Sequence, residues 1–172
     1  MRIEGYVARY NEETVIWGEF RERLAPGAFR RTLRESPDVV MLLDHDSGRV
    51  IGRTSSGSLT LEEDSIGLRF SLLPDEKTPE GQTAIGTVRR GDVRGCSFGF
   101  QVKAEEWESG GSKLPLRTLT DVSLYECTLT GFPAYPTTSA KLIRSATGTA
   151  APSANPSVER AKAAMRFRGI AV

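Results

Sequence analysis

The chain has 172 residues and a formal net charge of +1, with 23 Lys or Arg against 22 Asp or Glu. A chain of this length is expected to form one domain with a core large enough to fold alone, and its balanced charge gives no bulk attraction for nucleic acid. No apolar run approaches the roughly 18 residues of a membrane span, and the N-terminus has no signal-peptide stretch, so neither a membrane nor secretion is expected.

Strands dominate the first half of the chain. The apolar and polar patterns predict a strand at 5–10, a short helix at 26–35, a buried strand at 39–43, and a hairpin of strands 58–62 and 68–72. The helix is expected to stop before Pro37, because a residue that precedes proline is driven away from helical geometry. The continuous apolar run at 39–43 has strand length, which indicates burial on both faces.

The second half begins with a well-delimited helix. Thr78 is a good N-cap, Pro79 suits the first helical position, and Gly91 suits the residue after the end, so the helix should run to Arg90. Strands are expected at 93–102 and 119–129. Several strands with two helices predict a strand-rich α+β fold, in which a barrel or curled sheet has helices packed outside.

Composition divides the chain into three parts. Residues 1–143 have the apolar content of a folded domain. Residues 144–157 are mostly Ala, Pro, Ser and Thr, which cannot bury enough apolar surface to offset ordering entropy, so a flexible linker is predicted. Residues 158–172 form a basic C-terminal tail, either a short helix or disordered.

The strand Gly95-Cys96-Ser97-Phe98-Gly99-Phe100 carries the most chemical information. Alternation should turn Cys96 and the two phenylalanines toward the core, and Ser97 to the other face between Gly95 and Gly99. Ser97 would then be unshaded, and the glycines would let a substrate backbone approach. The alternative is a serine in a tight, glycine-rich sheet crossing. Cys96 and Cys127 fit neither a metal site nor a disulfide framework, which favours a reducing, cytosolic setting.

His45 is the single histidine and follows the buried strand, between Asp44 and Asp46. A serine hydroxyl needs a nearby base at neutral pH, and histidine is the usual one. A solvated imidazole in a surface turn is the ordinary alternative. A metal-dependent hydrolase built on Asp44-His45-Asp46 is a second alternative, although no second histidine supports it and neither cysteine is suitably spaced. No metal or cofactor is therefore predicted.

Glu126 is the candidate for the acid that orients the imidazole. Strand alternation puts it on the face of Val122 and Leu124, where a carboxylate is costly unless it is paired. His45 would resolve that cost, and so would an arginine such as Arg94 or Arg117. Asp121 and Asp46 are rivals for the orienting role.

The order of these motifs resembles the tailed-phage prohead (capsid maturation) protease family over roughly residues 3 to 143. The resemblance is carried by Pro26-Gly27-Ala28-Phe29, Leu43-Asp44-His45-Asp46, Asp64-Ser65-Ile66-Gly67-Leu68, Arg90 to Phe100, and Leu124 to Tyr135. It implies a serine endopeptidase with the fold of the related herpesvirus assemblins, a β-barrel surrounded by helices and often active as a dimer. The family's histidine falls on His45, its serine on Ser97 and its acid on Glu126. Assemblins use a second histidine as the third member, and this chain has none.

The resemblance also implies the biological setting. The substrates would be the scaffolding segment of the phage major capsid protein and the protease itself, cut inside the immature capsid in the host bacterial cytoplasm. The accessible linker predicts self-cleavage between about Ile143 and Ser157, which would release the basic tail. The alternative on the same fold is a non-enzymatic capsid-assembly or scaffold-binding module with a decayed site.

Overall fold

A computed structural model describes residues 1–35 and 38–143, so the predicted linker and basic tail lie outside the described residues. The helices of the described part are α1 (Arg30–Arg34) and α2 (Pro79–Arg90). Its strands are β1 (Arg2–Arg9), β2 (Thr14–Ile16), β3 (Phe20–Leu24), β4 (Val40–Leu43), β5 (Asp46–Arg53), β6 (Leu59–Glu63), β7 (Gly67–Leu72), β8 (Gly95–Glu108), β9 (Leu116–Thr130) and β10 (Ser139–Ile143). None of the described helices is long and apolar enough to cross a membrane.

The strands form two sheets, which confirms the strand-rich α+β class. One sheet has the order β10-β1-β7-β6, and the other has the order β2-β3-β9-β4-β5, with β8 paired to β9. Within residues 1–35 and 38–143 the pairing leaves two open sheets and does not close into one ring. The main core lies between the sheets; Phe29, Phe70, Leu24, Leu119 and Leu129 are among its fully buried side chains.

The long strand β9 organises the larger sheet. On one edge it pairs antiparallel with the whole of β8. On the other edge it pairs parallel with β3 near its start, and with β4 over Glu126 to Leu129 near its end. The start of β8 and the strand β4, which are far apart in sequence, therefore meet at the end of β9, and the predicted site residues lie there.

The predicted bounds of α2 are confirmed, because both ends carry local signals. The Thr78 side chain accepts a hydrogen bond from the Gly81 N–H at 3.1 Å, and Gly91 has φ of +81° after the last turn. Gly91 can take this left-handed geometry because it has no Cβ.

The predicted helix at 26–35 is wrong in its first half. Tertiary hydrogen bonds use the backbone there: the Ala28 carbonyl accepts from Val122 N–H at 3.0 Å, and Phe29 N–H donates to a Glu63 carboxylate oxygen at 3.2 Å. Gly27 has φ of +90°, which is incompatible with a right-handed helix. Only the last turn and a half, α1, is helical.

Candidate active site

His45 lies in a two-residue hairpin turn that joins β4 to β5. Leu43 pairs with Asp46, and the two residues between them have φ of +50° at Asp44 and +58° at His45. Such a turn matches the right-handed twist of its strands, but its positive φ angles usually call for Asn-Gly. Left-handed geometry at a non-glycine residue costs on the order of 1 kcal/mol or more, so the surrounding structure must hold this turn in place.

The end of β9 holds the turn. The Asp44 N–H donates to the Leu129 carbonyl at 3.1 Å, and the His45 N–H donates to the Thr128 hydroxyl oxygen at 2.9 Å. Thr128 is fully buried and sits in the β4–β9 pairing opposite Leu42. These two bonds fix the backbone from which the imidazole projects.

The imidazole contacts the predicted acid. His45 Nδ1 lies 2.7 Å from Glu126 Oε1, with 49% of the histidine side chain and 17% of the glutamate side chain exposed. A carboxylate only accepts hydrogen bonds, so the proton of a neutral imidazole resides on Nδ1 and the lone pair on Nε2. The His45 side chain is therefore half-exposed, and Glu126 holds its Nδ1, whereas a freely solvated imidazole has no such partner.

The face predicted for Glu126 is wrong, because β9 contains a β-bulge. Gly99 pairs with Glu126, but the next residue, Phe100, pairs with Leu124, which leaves Tyr125 as an extra residue in β9. An extra residue reverses the alternation beyond it. Glu126 thus lies opposite Gly99 and on the face that points away from the core, whereas Leu124 points into the core. We call this face, which carries Ser97, Glu126 and Thr128, the site face.

Ser97 lies on the same site face, directly opposite Thr128. Its exposed fraction is 7%, so it is far less open than predicted. In the described part of the chain the hydrogen bonds of His45 go to Thr128 and Glu126, and none joins its ring to Ser97. The fold therefore brings all three candidate residues to one end of β9, with the histidine–acid contact formed.

Gly95 and Gly99 make room for the protein's own side chains. A Cβ on Gly99 would lie 2.7 Å from Glu126 Oε1, and one on Gly95 would lie 2.7 Å from a Pro133 side-chain carbon and 3.0 Å from the Thr138 hydroxyl oxygen. The two glycines therefore accommodate side chains of the protein itself, whereas the sequence predicts that they admit a substrate backbone. Admission of a substrate backbone at these glycines stays a prediction.

The cysteine beside Ser97 faces the core, as predicted. Cys96 and Cys127 are both fully buried, and burial raises the pKa of each thiol. Both thiols therefore stay protonated at neutral pH, because the thiolate is the disfavoured form in an apolar environment. Neither cysteine has the ionisation or the exposure that a nucleophile needs.

The rival acids are engaged elsewhere. Asp121 accepts from Arg31 Nε at 2.8 Å, and Asp46 Oδ1 accepts from the Gly48 N–H at 2.8 Å. Arg117, one of the arginines considered for Glu126, instead pairs with Glu22 and Glu105. Within the described residues, no three His, Cys, Asp or Glu side chains form a group that could hold a metal ion.

Aromatic rings from two other segments pack against the core side of the serine strand. The Phe98 ring lies 5.7 Å from the Phe29 ring at 72° and 5.7 Å from the Tyr135 ring at 24°. The Tyr135 hydroxyl in turn donates to the buried Glu22 carboxylate. The segments Pro26–Phe29 and Phe132–Tyr135 therefore fix the position of β8 one residue away from Ser97.

Residues 1–151 match the family model described as Caudovirus prohead serine protease. Among curated proteins, none matches the sequence. One similar solved structure is that of varicella-zoster virus protease, at 15% identity and a TM-score of 0.41; the match covers 81% of this chain and spans 62% of the viral protease chain. The family model covers most of the sequence, and the chain belongs to the Caudovirus prohead serine protease family.

Proposed function

We propose that the protein is a serine endopeptidase in which Ser97 is the nucleophile, His45 the general base and Glu126 the orienting acid. The observation that carries this proposal is the 2.7 Å contact between His45 Nδ1 and Glu126 Oε1. It leaves Nε2 as the basic nitrogen, on a residue whose backbone is bonded to the strand partner of Ser97. Membership of a serine protease family supports the same assignment.

The reaction follows from these roles. His45 Nε2 takes the hydroxyl proton of Ser97, and the serine oxygen attacks the carbonyl carbon of the scissile peptide. The protonated imidazole then gives that proton to the leaving amine, and an acyl-enzyme remains. A water molecule, deprotonated by His45, hydrolyses the ester and restores Ser97. Glu126 stabilises the imidazolium in both steps. The Ser97–His45 hydrogen bond is expected to form when substrate binds, since such contacts are often long in free enzymes.

The proposed substrates are the scaffolding segment of the phage major capsid protein and the protease itself, cut inside the immature capsid in the host bacterial cytoplasm. A homo-oligomer is also proposed, with a dimer as one candidate form. Family membership supports a role with capsid proteins.

Co-expression with a phage major capsid protein that carries its scaffolding segment tests the proposal. Wild type should shorten the capsid protein, whereas His45→Ala and Ser97→Ala should leave it intact. Cleavage that survives in Ser97→Ala but is lost with a chelator would favour a metal-dependent hydrolase. A wild-type protein that binds the capsid protein without cutting it would favour the non-enzymatic assembly module.

Self-cleavage is proposed within residues 143–157. The supporting observation is the composition of this stretch, whose small residues and prolines are typical of accessible chain. Intact-mass spectrometry of purified wild type should show a C-terminus in this range, and Ser97→Ala should keep its full length. Identical masses for the two proteins would contradict self-processing under those conditions.

A further inference from the structure

Tyr125 is turned onto the site face by the bulge in β9. It is the residue without a partner between the Glu126–Gly99 and Leu124–Phe100 pairs, and 56% of it is exposed. Its hydroxyl donates to the side-chain oxygen of Gln101 at 2.9 Å. An aromatic ring and an amide therefore lie together immediately beside the acid that contacts His45.

The amide of Gln101 is oriented by a cation. Lys103 Nζ donates to the same Gln101 oxygen at 2.8 Å. Because an ammonium group has only donors, the amide oxygen is the atom that accepts from Lys103, and the amide NH2 group keeps both of its donors. We call the three exposed residues Tyr125, Gln101 and Lys103 the donor patch.

The donors of this patch are left for an external partner. Within the described residues Lys103 makes no ion pair, and the Gln101 NH2 group has no acceptor. The side-chain hydrogen bonds of Gln101 and Lys103 there are the two that the Gln101 oxygen accepts, from Lys103 and from Tyr125. Both acids of β9 are already engaged: Glu126 contacts His45, and Asp121 is neutralised by Arg31, which also donates to Ser123 opposite Gln101. A ligand that supplies acceptors and negative charge would complement the patch.

The patch lies within reach of a bound substrate. Gln101 is four residues from Ser97 along β8, which is about 13 Å at 3.3 Å per residue. An extended substrate has the same rise, so its third or fourth residue from the cleaved bond would lie over the patch. The Tyr125 ring would cover the aliphatic stem of that residue.

Resting on the proposed function, we propose that the donor patch is a specificity subsite for an acidic substrate residue. An Asp or Glu side chain three or four positions from the scissile bond, on one side of it, accepts from the Gln101 NH2 group and pairs with Lys103. For a partly exposed charge pair this is worth about two- to fivefold in kcat/KM.

Cleavage profiling tests the subsite. A peptide library prepared from a bacterial proteome is digested with wild type, Gln101→Leu, Lys103→Glu and the control Lys141→Glu, whose exposed lysine lies on β10 of the other sheet. Wild type and control should enrich Asp and Glu about two- to fivefold at one of these positions. Gln101→Leu should weaken the enrichment, and Lys103→Glu should replace it with a preference for Lys and Arg.

The outcomes separate the two proposals. Unchanged profiles in active Gln101→Leu and Lys103→Glu proteins would overturn the subsite and leave the protease standing. Absence of any cleavage by wild type, with a folded protein, would overturn the proposed function and the subsite with it. If Lys103→Glu loses total activity, its specificity is measured on two peptides that differ only by Glu or Lys at the subsite position. The ratio of the two kcat/KM values reports specificity alone.

Discussion

The two ends of the β8–β9 ribbon are built in opposite ways. At the inner end, Ser97, Glu126 and Thr128 are buried or nearly so, and each is constrained by a neighbour on another strand. At the outer end, the exposed stretch Ala104–Glu108 of β8, which we call the outer arm, has Glu105 and Trp107 held by a surface ion pair and a ring contact with Arg117. The same two strands thus form a dense inner end that can fix reacting groups and an outer arm governed by solvent-screened contacts.

The comparison predicts that changes at the inner end affect activity strongly and changes on the outer arm affect it little. Substitution of Glu126 should have the largest effect. In Glu126→Gln the amide can donate to Nδ1 of His45, which would move the imidazole proton to Nε2 and remove the base. We expect kcat/KM to fall about 10³- to 10⁴-fold with little change in KM, measured on a cleaved peptide. The matched control Glu106→Gln, on the outer arm, should keep wild-type activity.

Substitution of Gly99 should have the second-largest effect on activity, because a Cβ at this position would lie 2.7 Å from Glu126 Oε1. Gly99→Ala should displace the carboxylate from His45 and lower kcat about 10- to 100-fold, as expected for a displacement near 1 Å in a catalytic group. Gly86→Ala in α2 is the control, since nothing lies within 4 Å of its Cβ. That change should raise the free energy of unfolding by about 0.5–1 kcal/mol and leave kcat unaltered. Equal kcat in both variants would show that Glu126 tolerates displacement.

Thr128 should have a moderate effect, because it accepts from the backbone of His45 and lies opposite Ser97. Thr128→Val keeps the shape and removes the acceptor, so the turn at Asp44–His45 loses one of its two bonds to β9. A fall of about tenfold in kcat is expected, corresponding to about 1.4 kcal/mol. Thr128→Ser should restore most of it, whereas a purely packing role would make serine the worse substitute.

The outer arm should give the smallest effect. Glu105→Gln weakens a bond to Arg117 at the solvent-exposed surface, where an ion pair is worth about 0–1 kcal/mol. We expect less than a twofold change in kcat/KM and a small fall in the midpoint of thermal unfolding that vanishes at high salt. A large loss of activity would remove the distinction between the two ends.

The sequence predicts α2 to the residue, because the signals for its ends are local. It misses β3 and β5, because β3 reads Phe-Arg-Glu-Arg-Leu and the edge strand β5 is largely polar. In β3 the charge is tolerated because Glu22 is buried against Tyr135 and Arg117, a tertiary contact that no local pattern reveals.

The same distinction applies to the site. The sequence selects Glu126 because alternation puts its carboxylate on the apolar face of Val122 and Leu124. That face is wrong, because periodicity does not reveal a bulge. The left-handed turn at Asp44–His45 is hidden as well, because neither residue is glycine. Thr128 is missed because a threonine in a strand is ordinary, and only the pairing of β4 with β9 gives it a role.

Active-site labelling tests the central claim most directly. Wild type, His45→Ala and Ser97→Ala are treated with a fluorophosphonate, a reagent that esterifies activated serine hydroxyls, and the adducts are located by peptide mass spectrometry. We expect one adduct, on Ser97, in wild type and its loss in His45→Ala. An adduct on another residue, or a protein that cleaves peptides while Ser97 stays unlabelled, would contradict it.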